Sequence, residues 1–221
     1  MNWFKKTSYP EFWVAYSEHF KTKQKTDIDS IRFVVFDTET TGLNTNQDRI
    51  LSIGTVGVFK NIIKISDNFE CYLKQDFFKA ESVKIHGLLK AGTNIKLDEK
   101  TAVIQFLEYI KNAVLVAHNA SFDVTMINKA LKRLELPKLK NTVLDTKDIF
   151  NKTELDKTTK TNFSLDELSK RFNIPQHDRH TASGDAFITA LLFVKLVSNL
   201  KKEKDITLND LKSPSKRIGL L

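Results

Sequence analysis

Asp37 and Glu39 stand one residue apart and follow directly on the apolar run Phe33, Val34, Val35 and Phe36. On an extended chain, residues two apart face the same way, ~7 Å along the strand, so both carboxylates project from one spot at a strand end. Such oxygens suit hard divalent cations such as Mg²⁺ or Mn²⁺, and strand ends are where α/β folds build their sites. The same pair can also simply face water. A third acid, Asp123, closes the sequence His118-Asn119-Ala120-Ser121-Phe122-Asp123, at the exit of a second apolar run, 114–117. It falls in the first turn of a predicted helix, which favours its charge, and Ser121 is available as the cap. A fourth, Asp185, comes five residues after a histidine in His180-Thr181-Ala182-Ser183-Gly184-Asp185-Ala186. Five residues turn a helix by ~140° from the starting face, so His180 precedes the helix that Asp185 opens and can swing over a site to which Asp185 is fixed.

In this order, Asp37-Thr38-Glu39-Thr40-Thr41-Gly42, His118-Asn119-Ala120-Ser121-Phe122-Asp123 and His180-(four residues)-Asp185 resemble the three motifs of the DEDDh group of exonucleases. Over roughly residues 31–197 the chain is similar to the proofreading type, the epsilon subunit of bacterial DNA polymerase III. Glu81-Ser82-Val83-Lys84-Ile85-His86-Gly87 resembles the segment that lines the terminal-nucleotide pocket in that family. The resemblance implies an RNase H-like fold and stepwise hydrolysis from a 3′ end, releasing nucleoside 5′-monophosphates. It implies two divalent cations, Mg²⁺ or Mn²⁺, held by Asp37, Glu39, Asp123 and Asp185, with His180 as general base. It further implies that Thr40, Thr41, Gly42 and Leu43 hold the terminal nucleotide, with Glu81, His86, Asn119 and Phe122 around it.

Phosphodiester hydrolysis needs water made nucleophilic, charge neutralised on the phosphoryl oxygens, and a stabilised leaving 3′-oxygen, all of which a cation pair supplies. An imidazole with an unperturbed pKa of ~6.5 accepts a proton at pH 7 to 8. DNA is the expected substrate, preferably single-stranded, because Asp-Thr-Glu-Thr-Thr-Gly looks closer to proofreading enzymes than to the dedicated ribonucleases of the family. An RNA-directed exonuclease is the nearest alternative. A non-catalytic nucleic-acid or polymerase-binding module is a third, opposed by the presence of all four acids and the histidine. Several neighbours stay open: Phe122 either starts a helix's apolar stripe or meets substrate, Asp145 either supports the acids or caps a helix, and Arg179 can meet a phosphate. His118 reads as structural and His177 as a loop residue.

The elements that must position these groups alternate strands and helices. Strands are expected at 33–36, 49–59, 68–74, 114–117 and 142–144, and helices around 103–110, 122–134, 164–172 and 183–200, the third helical stretch following a polar loop at 151–162. That pattern is a mixed α/β sheet of five strands flanked by helices. Ahead of it, Tyr9, Phe12, Trp13, Tyr16 and Phe20 recur at helical spacing after a capping box of Ser8 and Glu11, an amphipathic helix whose aromatic stripe is expected to pack on the chain's own domain, a partner protein or a membrane surface being the alternatives. The organisation expected is a helix and connector over 1–30, an exonuclease domain over 31–200 and a basic tail over 201–221.

With 221 residues the chain can bury a core without disulfides, and its one cysteine, Cys71, sits in strand alternation as a buried thiol. Zinc knuckles and Cys-based redox motifs are excluded. Lys and Arg number 35 against 27 Asp and Glu, a net charge of +8 that suits a polyanionic partner, nucleic acid. A polymerase or clamp partner is a further possibility, a membrane is not expected, and the absence of a signal-peptide pattern makes the cytoplasm the expected compartment.

Overall fold

The computed structural model describes residues 9–76, 95–153, 155 and 162–212. Glu81 and His86, expected near the substrate, and Ser8, expected as a cap, lie outside these residues. Strands β1 (Arg32–Thr40), β2 (Ile50–Phe59) and β3 (Ile62–Leu73) form an antiparallel meander, and β5 (Val114–Ala117) and β6 (Val143–Asp145) add parallel to β1 on its other side. The sheet order is β4-β3-β2-β1-β5-β6, with β4 (Lys96–Leu97) parallel to the end of β3. The sheet therefore has six strands where five were expected. The sixth is two residues long, too short to leave a periodic signal.

β1 is central, and its side chains alternate between two cores. Val34 and Phe36 face helices α2 (Glu99–Ile110) and α3 (Ala120–Arg133), while Phe33 and Val35 face the long helix α6 (Ala182–Glu203), which packs across β1 and β2. Burial on both faces explains why the run 33–36 has no polar alternation. α6 is long and apolar enough to cross a bilayer, but its apolar side lies inside this core. Short helices α4 (Thr146–Phe150) and α5 (Leu165–Arg171) link β6 to α6.

The aromatic helix α1 (Glu11–Glu18) is covered by the chain's own domain. Trp13 and Tyr16 are buried with Phe106 and Ile110 of α2, and the Tyr16 hydroxyl donates to Asn141 Oδ1 at 2.6 Å while accepting from the Lys140 amide at 2.9 Å. The helix begins after Pro10, which stands at the N-cap with φ −58° and makes no side-chain cap bond; the expected capping box involves Ser8, outside the described residues. At the other end the lysine-rich stretch is not a loose tail as far as residue 212. Ile206, Leu208 and Leu211 enter the core through α7 (Leu208–Lys212), and the Leu208 amide donates to the Thr26 carbonyl at 2.8 Å, tying it to the connector. Cys71 is buried as expected, and burial pushes its thiol up to about 12.

Candidate active site

Asp37 and Glu39 lie at the end of β1 on the face that α6 covers, opposite Gly54 and Ser52 of β2. Gly54 is what lets α6 come so close: a Cβ there would sit 2.2 Å from the carbonyl carbon of Ala182 and the amide nitrogen of Ser183. The first turn of α6 therefore rests directly on β2. Thr181 caps that turn by accepting from the Gly184 amide at 3.1 Å, and the Ser183 hydroxyl donates to Glu70 on β3. Asp185 is in the same turn, and it arrives beside the strand acids. Oxygens of Asp37, Glu39 and Asp185 all lie within 4.8 Å of one another.

Asp123 comes from the opposite side of β1. The turn from β5 into α3 passes through Asn119 in the left-handed conformation, φ 65°. The Asp145 carboxylate, at the end of β6, accepts from the amides of Asn119 at 3.2 Å and Ala120 at 2.8 Å, and also caps α4 through the Lys147 amide at 2.9 Å. Asp145 thus caps two helix starts at once. So anchored, α3 brings Asp123 to β1, where its Oδ1 accepts from both the amide of Thr38 (3.0 Å) and its hydroxyl (2.7 Å).

Burial raises all four acids, and the charges of their neighbours in the group add to it at Asp37 and Glu39. Burial, then the charges of Asp123, Asp185 and Glu39, hold the Asp37 carboxyl well above the usual range; burial and then Asp185 push Glu39 up to about 8. Burial lifts Asp123 to about 7 against its Thr38 hydrogen bonds, and it raises Asp185 despite the adjacent Arg179. Among the described residues, Arg179 is the cation whose charge relieves Asp37, Glu39 and Asp185 alike; it donates to Asp185 Oδ2 and, at 2.7 Å, to Asp166 Oδ1. One guanidinium does not balance four carboxylates. Moreover, Asp185 Oδ1 is buried without a hydrogen-bond partner. An orphaned, inward oxygen beside two further carboxylates is the donor set that a hard divalent cation fits.

The remaining expected residues are placed as follows. His180 is exposed and adopts the left-handed conformation at φ 66°. The Thr40 hydroxyl donates to the Gly42 carbonyl at 2.8 Å, and Thr41, 1% exposed, donates to Asp48 at 2.8 Å, so both hydroxyls brace the 41–49 loop. Leu43 projects from that loop 85% exposed. Phe122 is partly buried against the core of α2 and α3, and Asn119 lines a cavity of about 300 Å³ that opens beside Asp37 and Asp185. His118 reads correctly as structural: its ring nitrogens meet Thr146 Oγ1 at 2.8 Å and the Phe163 carbonyl at 3.0 Å, and burial lowers its pKa.

Residues 34–193 match the family model of exonucleases, RNase T. The PolC-type DNA polymerase III of Caldanaerobacter subterraneus subsp. tengcongensis is 37% identical over 171 residues, covering 77% of this chain and 12% of that protein. That of Listeria innocua is 33% identical over 203 residues, 89% of this chain and 13% of its own. The chain therefore spans only about an eighth of these relatives' length. Among solved structures, E. coli exonuclease I in complex with a dT13 oligonucleotide superposes with a TM-score of 0.66 at 15% identity, over 79% of this chain and 42% of that one. Exonuclease X in complex with 5′-overhanging duplex DNA does so with 0.60 at 23% identity, over 83% and 99%. These likenesses show the RNase H-like exonuclease fold.

Proposed function

The chain belongs to the exonuclease (RNase T) family, and on that footing we propose that it removes nucleotides singly from the 3′ end of DNA, preferably single-stranded, releasing nucleoside 5′-monophosphates. The observation that carries the reading is the convergence of Asp37, Glu39 and Asp185 on one spot, with Asp123 buried behind β1 and an oxygen of Asp185 unpaired. In this reading the four acids hold two divalent cations, Mg²⁺ or Mn²⁺. Bound there, such cations supply the Lewis acidity that activates water, neutralises charge growing on the phosphoryl oxygens and stabilises the leaving 3′-oxygen.

The chain's own groups do the rest. Thr38 fixes Asp123 through two hydrogen bonds, both to Oδ1. Arg179 stays tethered to Asp166 while its contact with Asp185 yields to an arriving cation. His180, exposed at the mouth of α6, takes the proton of the attacking water. Leu43 is free to meet the terminal nucleotide, with the backbone of Thr40, Thr41 and Gly42, Asn119 and the edge of Phe122 around it; Glu81 and His86 complete that group by the resemblance of their segment. The relatives' names place similar domains in DNA polymerase III, and we assign this chain a cytoplasmic role in proofreading or repair, beside a polymerase or clamp.

The test is digestion of 3′- and 5′-labelled oligonucleotides of DNA and of RNA, with and without Mn²⁺, by wild type and Asp185→Ala. Mononucleotide release from the 3′ label, dependent on Mn²⁺ and absent in the variant, is expected. Release that survives Asp185→Ala would remove the acid cluster from the chemistry.

A further inference from the structure

The cavity beside the acids is also lined by a lysine. Asp37, Asp185 and Arg179 share its lining with Asn119, Lys147 and Asn162. Of the two cations, Arg179 is committed to Asp166 and Asp185. Lys147 is not: its ammonium donates to Asn119 Oδ1 at 2.9 Å and Asn162 Oδ1 at 3.2 Å, both neutral, and among the described residues no carboxylate pairs with it. An ammonium has three donors, and two amide oxygens leave one donor and the whole charge uncompensated.

The lysine is also held in place from behind. The half-buried His118, whose pKa burial lowers, bonds the Phe163 carbonyl and so fixes the segment that carries Asn162. Asp145 holds the backbone at both Asn119 and Lys147. The two amide oxygens thus steer a single positive charge to a set position in the cavity that the carboxylates also line.

We infer that Lys147 is a substrate-binding residue for the phosphate next to the one being hydrolysed. The inference rests on the nuclease reading above. For an enzyme acting at a 3′ end, every phosphate other than the reacting one lies on its 5′ side, so a cationic subsite adjoining the acids receives the next linkage into the strand. It anchors the strand, and its contribution belongs to binding a polynucleotide rather than to bond breaking.

The test replaces each partner in turn. A 12-residue oligothymidylate is compared with one whose linkage next to the terminal one is an uncharged methylphosphonate, using wild type, Lys147→Gln and Lys147→Arg in Mn²⁺. Either single change is expected to raise KM about tenfold with kcat held, the scale of a charge-assisted hydrogen bond, and Lys147→Arg to restore most of it. Making both changes together is expected to cost no more than one alone, as for two ends of one contact. The slope of log KM against log salt should fall by about 0.7 in Lys147→Gln, one phosphate contact on a single strand. If the wild type cleaves the unmodified strand and the two penalties multiply, the subsite is refuted while the nuclease reading stands. A wild type that leaves the unmodified strand intact overturns both.

Discussion

Asp123 and Asp185 both stand in the first turn of a helix laid against β1, yet their surroundings differ. Asp123 is 4% exposed and doubly bonded to Thr38, and the helix that carries it is pinned by Asp145. Asp185 is as buried, at 5%, but one of its oxygens has no partner and the other holds only Arg179. The first acid is part of the scaffold as well as of the site. The second is left with an unsatisfied oxygen in the folded chain, which a bound cation would satisfy. One helix is therefore fixed by hydrogen bonds and the other by close backbone packing over Gly54.

The largest expected effect attacks that packing. Gly54→Ala forces α6 off β2, and we expect a loss of about 1–3 kcal/mol from overpacking together with loss of exonuclease activity, since Asp185 moves with the helix. Thermal melting and the labelled-strand assay check this; an active Gly54→Ala of wild-type stability would show that the close approach at Gly54 does not position the acid.

Next come the two acids themselves. Both Asp123→Asn and Asp123→Ala should abolish activity, but the asparagine keeps an oxygen for Thr38 while the alanine leaves a buried amide unpaired. Denaturant melts should separate the two by about 1–3 kcal/mol. For Asp185→Asn and Asp185→Ala, where only the contact with Arg179 distinguishes them, the separation should be about 0–1 kcal/mol. Equal separations at both positions would erase the distinction between a scaffold acid and an unsatisfied one.

A smaller effect follows from protonation. Burial raises the carboxyls in the folded state, Glu39 to about 8 with the added charges of Asp185 and Asp123, and Asp123 to about 7, above their unfolded values. The folded, cation-free chain then holds more protons than the unfolded one, so its stability falls as pH rises through that window. From pH 7.5 to 9.0, above most of the range in which His118 titrates in the unfolded chain, ~6.5, the melting temperature in chelator should decline. Glu39→Gln should flatten the decline, and saturating Mn²⁺ should raise the melt most at the alkaline end. A flat profile in the wild type would mean that the carboxyls are not crowded.

The acids were legible because each depends on a short stretch of chain. Asp37 and Glu39 share a strand face at a spacing of two, and Asp123 and Asp185 each occupy the first turn of a helix visible from its period. What holds them was not legible. Gly54 matters through a helix start some 130 residues later, and Asp145 through an amide in a different helix. Lys147 carries no pattern at all; it gains meaning only when Asn119 and Asn162 meet it in space. For the same reason the stripe on α1 and its cover by the chain's own domain were legible but the partner was not, because Tyr16 bonds a residue 125 positions away. Ile206, Leu208 and Leu211 were hidden among lysines, and a two-residue strand gives no alternation to read.

The account's central claim is that carboxylates from β1, α3 and α6 make one cation site. Calorimetric titration of chelator-treated protein with Mn²⁺ at pH 7, in two buffers of different ionisation enthalpy, tests it most directly. Wild type is expected to bind Mn²⁺ with release of protons from the raised carboxyls, and Asp37→Asn and Asp185→Asn each to lose that binding. Equal Mn²⁺ binding by wild type and both variants would contradict it.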